Sequence, residues 1–62
     1  MFIKLNSGDM LNLFWLDNFY IDKHDDTRII YVYVNGAKKI ETFETNTQAS
    51  SRYTEIEQKI YG

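Results

Sequence analysis

Apolar and polar positions alternate along four short segments of the chain, which is the pattern of β-strands with one buried face. The predicted strands comprise residues 2–6, 10–23, 27–34 and 38–44. Residues 27–34 carry the clearest strand signal, because β-branched and aromatic side chains fill this segment. The second segment is long for a strand, and Asp17-Asn18 interrupts its alternation. We therefore expect a bulge or a bend at that point.

The period changes in the C-terminal tail, where apolar residues recur at the spacing of one helix face. They are Ala49, Tyr53, Ile56 and Ile60. Thr45 followed by Gln48 fits a capping box, and Asn46 or Thr47 are alternative caps. The sequence therefore predicts a helix with a single apolar stripe that packs on a sheet.

These elements predict an α+β fold, a four-stranded antiparallel meander with one C-terminal helix packed on one face. Because the connections are short, the strands should pair in sequence order, and residues 1–62 are expected to form a single domain. Ser7-Gly8-Asp9 predicts the first turn. Asn35-Gly36 favours a tight hairpin of type I′, which needs positive φ at both central residues.

Both faces of the predicted sheet are apolar, whereas an antiparallel sheet with one face in water normally alternates cleanly. To the helix side we assign Ile3, Leu5, Leu11, Leu13, Trp15, Ile30, Val32, Val34 and Ile40. The opposite face then carries a predicted interface made of Phe2, Met10, Phe14, Leu16, Ile29, Tyr31 and Tyr33. A shift of one residue at Asp17-Asn18 would exchange the two faces of the second segment.

An outward apolar face of this kind marks an interaction surface, and Tyr, Phe and Met are enriched at the cores of interfaces. A second copy of the chain is the favoured occupant, and a dimer is the favoured assembly. Two alternatives stay open. One is a different partner protein, and the other is a curled monomer whose second face is partly buried without any interface.

The charge balance, seven Lys and Arg against nine Asp and Glu, argues against a surface that tracks phosphates. No apolar run approaches the roughly 18 residues that cross a bilayer. The first residues lack the basic start, apolar centre and cleavage site of a signal peptide. Cysteine is absent, so no disulfide or thiolate site is expected. The prediction is a cytoplasmic protein that does not associate with membranes.

One cluster combines residue types that bind metals: Asp22, His24, Asp25 and Asp26. The segment lacks the tight-turn glycine and the closing glutamate of a calcium loop, so a solvated loop is predicted. A metal-dependent activity there is the weaker alternative. No nucleophile is placed beside a base, and no glycine-rich phosphate loop is present. We predict no catalytic residue, metal ligand or cofactor, and we do not expect an enzyme.

Sheet-surface aromatics offer a second hypothesis, because such side chains stack bases in RNA-binding modules. Tyr31, Tyr33 and Phe14 would form the stacking platform. The positive charge would come from Lys4, Arg28, Lys38 and Lys39. Acidic residues lie close to these in sequence, so single-stranded nucleic-acid binding ranks below protein interaction.

Three stretches resemble short bacterial and phage proteins built as a β-meander that ends in a helix: MFIKLNSGDMLNL, RIIYVYVNGAKKIETFE and FETNTQASSRYTEIEQKI. The small flagellar FlbD-like proteins are similar in their strand–turn–strand start and Asn-Gly hairpin, although they do not usually carry this many tyrosines. The resemblance implies the same fold and a non-enzymatic role, and it assigns no functional residue. By analogy, a phage or mobile-element regulator or inhibitor of a host protein fits the size and acidity.

Overall fold

A computed structural model describes all residues, Met1–Gly62, and shows an α+β protein with a C-terminal helix and antiparallel sheets. The strands are β1 (Phe2–Lys4), β2 (Met10–Asn12), β3 (Leu16–Ile21), β4 (Arg28–Tyr33) and β5 (Lys38–Thr42). The helix α1 spans Asn46–Tyr61. Strands β1 and β2 form a hairpin of their own, and β3, β4 and β5 form a three-stranded sheet in sequence order.

The predicted single four-stranded meander is wrong in one respect, because the second segment is divided. A 3₁₀ turn at Leu13–Trp15 separates β2 from β3. The side chain of Asn12 caps this turn by accepting a hydrogen bond from the Phe14 N–H at 3.0 Å. The turn ends one sheet and starts the other, so the chain has five strands in two sheets.

The predicted irregularity at Asp17-Asn18 is confirmed. Leu16 pairs with Tyr33 and Asn18 pairs with Val32, so the register shifts between Leu16 and Asn18. One residue on β3 is thus left without a partner on β4, which is a β-bulge.

Both tight turns depend on a glycine with positive φ. Gly8 has φ +92° and Gly36 has φ +90°, and no other residue has positive φ. The predicted type I′ turn at Asn35-Gly36 is therefore wrong, because Asn35 would also need positive φ. The Gly36 N–H donates to the Tyr33 carbonyl and the Tyr33 N–H to the Ala37 carbonyl, which fits a longer loop with glycine at the bulge position.

The predicted helix is confirmed together with its cap. Thr45 has an extended backbone, and its hydroxyl accepts a hydrogen bond from the Gln48 N–H at 3.2 Å. The side chain of Gln48 in turn accepts from the Glu44 N–H. At the other end, the Gly62 N–H donates to the Gln58 carbonyl. Thr45 is therefore the cap among the three residues considered.

The core lies between the hairpin, the helix and one face of the three-stranded sheet. Its buried apolar members are Ile3, Leu5, Leu11, Leu13, Ile29, Tyr31, Ala49 and Ile56. The residues predicted to face the core on the hairpin and the helix are mostly buried, which confirms their assignment. The exceptions are on the helix, where Tyr53 is only half-buried and Ile60 is exposed. The ring of Tyr53 lies 4.8 Å from that of Phe19, centroid to centroid, which joins α1 to β3.

The face assignment of β4 is reversed. Ile29 and Tyr31 are buried, whereas Ile30 and Val32 are half-buried on the opposite face and Val34 is exposed. The hydroxyl group of Tyr31 explains the reversal, because it forms a hydrogen bond with the buried side chain of Glu41 on β5. A tyrosine so paired can lie in the core without leaving a polar group unsatisfied.

Candidate interaction surfaces

Three of the predicted interface residues remain outside the core, two on the hairpin strands and one in the 3₁₀ turn that follows β2. We call Met1, Phe2, Met10 and Phe14 the hairpin patch. Phe2 is opposite Asn12 and Met10 opposite Lys4, so both apolar side chains lie on the outer face, away from Ile3 and Leu11. Phe14 follows Asn12 in the 3₁₀ turn and is 79% exposed. The patch therefore presents aromatic and sulfur-containing side chains to solvent.

The other four predicted interface residues do not lie on this surface, so their outward assignment is wrong. Ile29 and Tyr31 are 0% and 1% exposed. Leu16 and Tyr33 are half-buried and pack against the core. The hydroxyl of Tyr33 also accepts a hydrogen bond from the Asn12 N–H at 2.9 Å, which ties β4 to the hairpin.

Two apolar residues that the sequence predicts on the helix side are exposed in the structure: Trp15 is 58% and Ile40 is 53% exposed. Ile40 pairs with Ile30, and Ile30 pairs with Tyr20, so an apolar row crosses the open face of the three-stranded sheet. Asn12 is the sequence feature that could have indicated the exposure of Trp15. An asparagine that caps a turn ends the strand, so the alternation of faces does not continue unchanged into the residues that follow.

A buried polar cluster fixes the helix to the sheet and the hairpin. The side chain of Glu41 is fully buried, and Arg52 contacts it with Nη2 at 3.0 Å from Oε2. The Tyr31 hydroxyl donates to Oε1 at 2.8 Å, and the Asn6 N–H donates to Oε2 at 2.9 Å. Burial, followed by the hydrogen bond to the Glu41 carboxylate, raises the pKa of Tyr31 above its usual value. Both carboxylate oxygens of Glu41 accept hydrogen bonds, and the cluster exposes no reactive group, which suits a structural role.

The segment from Asp22 to Arg28 is a hydrogen-bonded loop. Asp22 accepts from the His24 N–H at 3.0 Å and from Arg28 Nη2 at 2.7 Å. Asp25 accepts from the N–H and the hydroxyl of Thr27, and its Oδ2 lies 3.6 Å from the buried Arg28 Nε. No group of three or more His, Asp and Glu side chains surrounds a position for a metal ion. The carboxylates of Asp22 and Asp25 accept hydrogen bonds from groups of the loop itself.

These contacts predict a loss of stability in acid. The His24 N–H, and then the Arg28 guanidinium, lower the pKa of Asp22 below its usual value. A carboxylate with a lowered folded pKa stabilises the fold above its unfolded pKa of about 4, and this contribution is lost as pH falls through the lower folded value. In urea unfolding measured from pH 6 to pH 2, the midpoint concentration of urea should stay level down to about pH 4 and decrease at lower pH.

Asp22→Asn should make this acid-dependent fall smaller, because the variant has no charge to lose. Asp17→Asn is the matched control, since Asp17 is exposed and its carboxylate has no hydrogen bond. An identical acid profile for wild type and Asp22→Asn would contradict the assignment.

The proposed base-stacking platform is not present in the structure. Tyr31 is buried, Tyr33 is half-buried with its hydroxyl bonded, and Phe14 lies in the 3₁₀ turn rather than on the three-stranded sheet. Because stacking needs exposed ring faces on one surface, these three aromatics cannot act together on a nucleic acid.

An open groove of about 480 Å³ lies between β5 and the turn of the hairpin. Lys38, Lys39 and Ile40 line one side of it, and Leu5 and Asp9 line the other. Trp15 and Tyr33 also contribute to the lining. An ion pair between Lys39 Nζ and Asp9 Oδ2, 2.5 Å apart, joins the two sides. The groove is thus a half-apolar channel beside an edge strand.

Comparison of the chain with family models, curated proteins and solved structures found no match. The likeness to FlbD-like proteins therefore stays a prediction. No helix in the structure has both the length and the hydropathy that crossing a membrane requires.

Proposed function

We propose that this protein is a small, non-enzymatic interaction module that self-associates through the hairpin patch. The observation that carries the proposal is the exposure of Phe2 and Phe14, at 61% and 79%, on the hairpin and on the 3₁₀ turn that follows it, together with that of Met1 and Met10. A cytoplasmic location and a regulatory or inhibitory role toward a host protein, by analogy with phage and mobile-element proteins, are parts of the same proposal.

The size of the patch favours a small, reversible dimer. A phenyl side chain carries roughly 150–250 Å² of surface, so the two phenylalanines expose about 200–350 Å² between them. Met1 and Met10 are 53% and 45% exposed and add to this area. Contiguous apolar patches beyond a few hundred Å² are unusual on soluble monomers. A two-fold axis through the patch would cover it on both copies at once.

Mass measurement by light scattering or sedimentation tests the proposal. The wild type is expected to approach twice the 7.4 kDa of the chain at high micromolar concentration. Phe14→Glu should weaken the dimer by about a hundredfold or more, because a two-fold dimer loses two phenyl groups and full burial of each contributes roughly 1.5–3 kcal/mol. Phe2→Glu should act in the same direction.

Val34→Glu is the control, because Val34 is an equally accessible apolar residue, 69% exposed, that does not belong to the patch. A wild type that stays monomeric at this concentration would refute self-association. A dimer that both phenylalanine variants leave intact would refute the hairpin patch as its interface.

A further inference from the structure

The outer edge of β5 has free backbone groups. Its odd-numbered residues bond to β4, because the bonds on either side of the strand, from Tyr33 N–H to the Ala37 carbonyl and from Phe43 N–H to the Thr27 carbonyl, fix the alternation in this register. The N–H and C=O groups of Lys38 and Ile40 therefore point away from β4, because these directions alternate along a strand. Neither residue has a side-chain partner for these groups.

Side chains cover outward backbone groups at the far end of β5 and on the hairpin strands. On β5, the Thr42 carbonyl accepts from Asn6 Nδ2 at 2.9 Å, so the free part of this edge is the segment with Lys38 and Ile40. On β2, the Met10 N–H donates to the Asp9 carboxylate and the Asn12 N–H donates to the Tyr33 hydroxyl. On β1, the Lys4 carbonyl accepts from Arg52. Proteins commonly cover sheet edges in this way, since an open edge can pair with another chain. The uncovered length of β5 is thus an available pairing site.

The groove beside β5 could hold side chains of a strand that pairs with this edge. A strand added to β5 would send alternate residues to opposite faces of the sheet. One set would enter the groove near Leu5 and Trp15, and the other would lie beside the exposed side chain of Ile40. The edge of β3 has outward groups as well, but no β3 residue lines this groove.

We propose that the edge of β5 binds an extended segment of a partner protein by strand addition. Backbone groups supply affinity in this mode, and pockets for alternate side chains supply specificity. The segment would carry apolar residues at alternate positions and an acidic residue near Lys38. Lys38 is exposed and forms no ion pair, whereas Lys39 is already bonded to Asp9. This site is separate from the hairpin patch, so it does not depend on self-association.

Selection from a library of random decapeptides displayed on phage, against the immobilised wild-type protein, tests the proposal. Enriched peptides, made synthetically, should bind with their largest amide shifts at Lys38 and Ile40 and should slow hydrogen exchange there. Ile40→Pro should weaken binding at least tenfold, because it removes an outward N–H without removing a bond to β4. Lys38→Glu should select against acidic peptides.

Phe14→Glu is the control, and it should leave peptide binding unchanged even if it abolishes the dimer. Peptides that bind Ile40→Pro as tightly as wild type would overturn the proposal. So would the absence of enriched peptides. If Ile40→Pro fails to fold, the amide shifts of the wild type decide, since changes centred away from β5 also overturn it.

Discussion

Arg52→Met is expected to leave the protein largely unfolded at 25 °C. Arg52 is the only cation that contacts the buried carboxylate of Glu41, and the side chain of Glu41 is 0% exposed. Removing one partner of a buried ion pair costs about 3–5 kcal/mol, because the other charge is left uncompensated. A domain below about 70 residues seldom has more than 3–5 kcal/mol of stability. Far-ultraviolet circular dichroism with urea titration measures the outcome.

The double variant Arg52→Met with Glu41→Gln separates the charge from the packing. A glutamine at position 41 would carry no charge, and its amide oxygen would still accept from the Asn6 N–H. Its NH2 group would donate to the Tyr31 hydroxyl oxygen, which reverses the direction of that bond. We therefore expect it to restore more than half of the lost free energy of unfolding. Lys59→Met, an exposed cation on the same helix without an ion pair, should behave as wild type. Equal stability of Arg52→Met and Lys59→Met would contradict the role of the pair.

This cluster also marks where sequence reasoning about the fold failed. The helix, its Thr45 cap, the turn at Gly8 and the bulge after Leu16 follow from local chemistry, which the sequence displays directly. The face of β4 does not, because the run from Ile29 to Val34 is apolar at every position and alternation cannot choose between its faces. A glutamate across the sheet decided the choice, and a long-range polar pair has no local signature.

The candidate surface was predicted only in the hairpin. There the turn at Gly8 fixes the register, so Phe2 and Met10 follow from alternation against the buried Ile3 and Leu11. After Asn12 the 3₁₀ turn interrupts the strand alternation of buried and exposed residues. As a result Trp15 is exposed and Leu16 packs inward, the reverse of what alternation predicts. The free edge of β5 depends on which side pairs with β4, a fact that alternation of side chains does not contain. Surface predictions from sequence therefore held as far as the first irregular turn.

Ile56→Ala should produce the second large loss, about 2–5 kcal/mol of unfolding free energy, because deletion of buried methylenes leaves a cavity. Ile56 is 0% exposed at the centre of the helix face that packs on the sheet. Ile60→Ala is the matched control, since Ile60 lies one turn further on the same stripe and is 39% exposed. Both variants replace isoleucine with alanine on the same stripe of one helix, so the difference between them reports mainly the packing at position 56.

Urea unfolding of the two variants, followed by far-ultraviolet circular dichroism, measures that difference. We expect Ile60→Ala to lie within about 1 kcal/mol of wild type, as exposed substitutions usually do. The wild-type contact between the rings of Phe19 and Tyr53 should weaken in Ile56→Ala, because Tyr53 lies one turn before the cavity. Near-ultraviolet circular dichroism would then lose aromatic intensity in this variant before the helix melts. Similar losses in both variants would show that the helix is not held through Ile56, and the core would need to be assigned again around the hairpin.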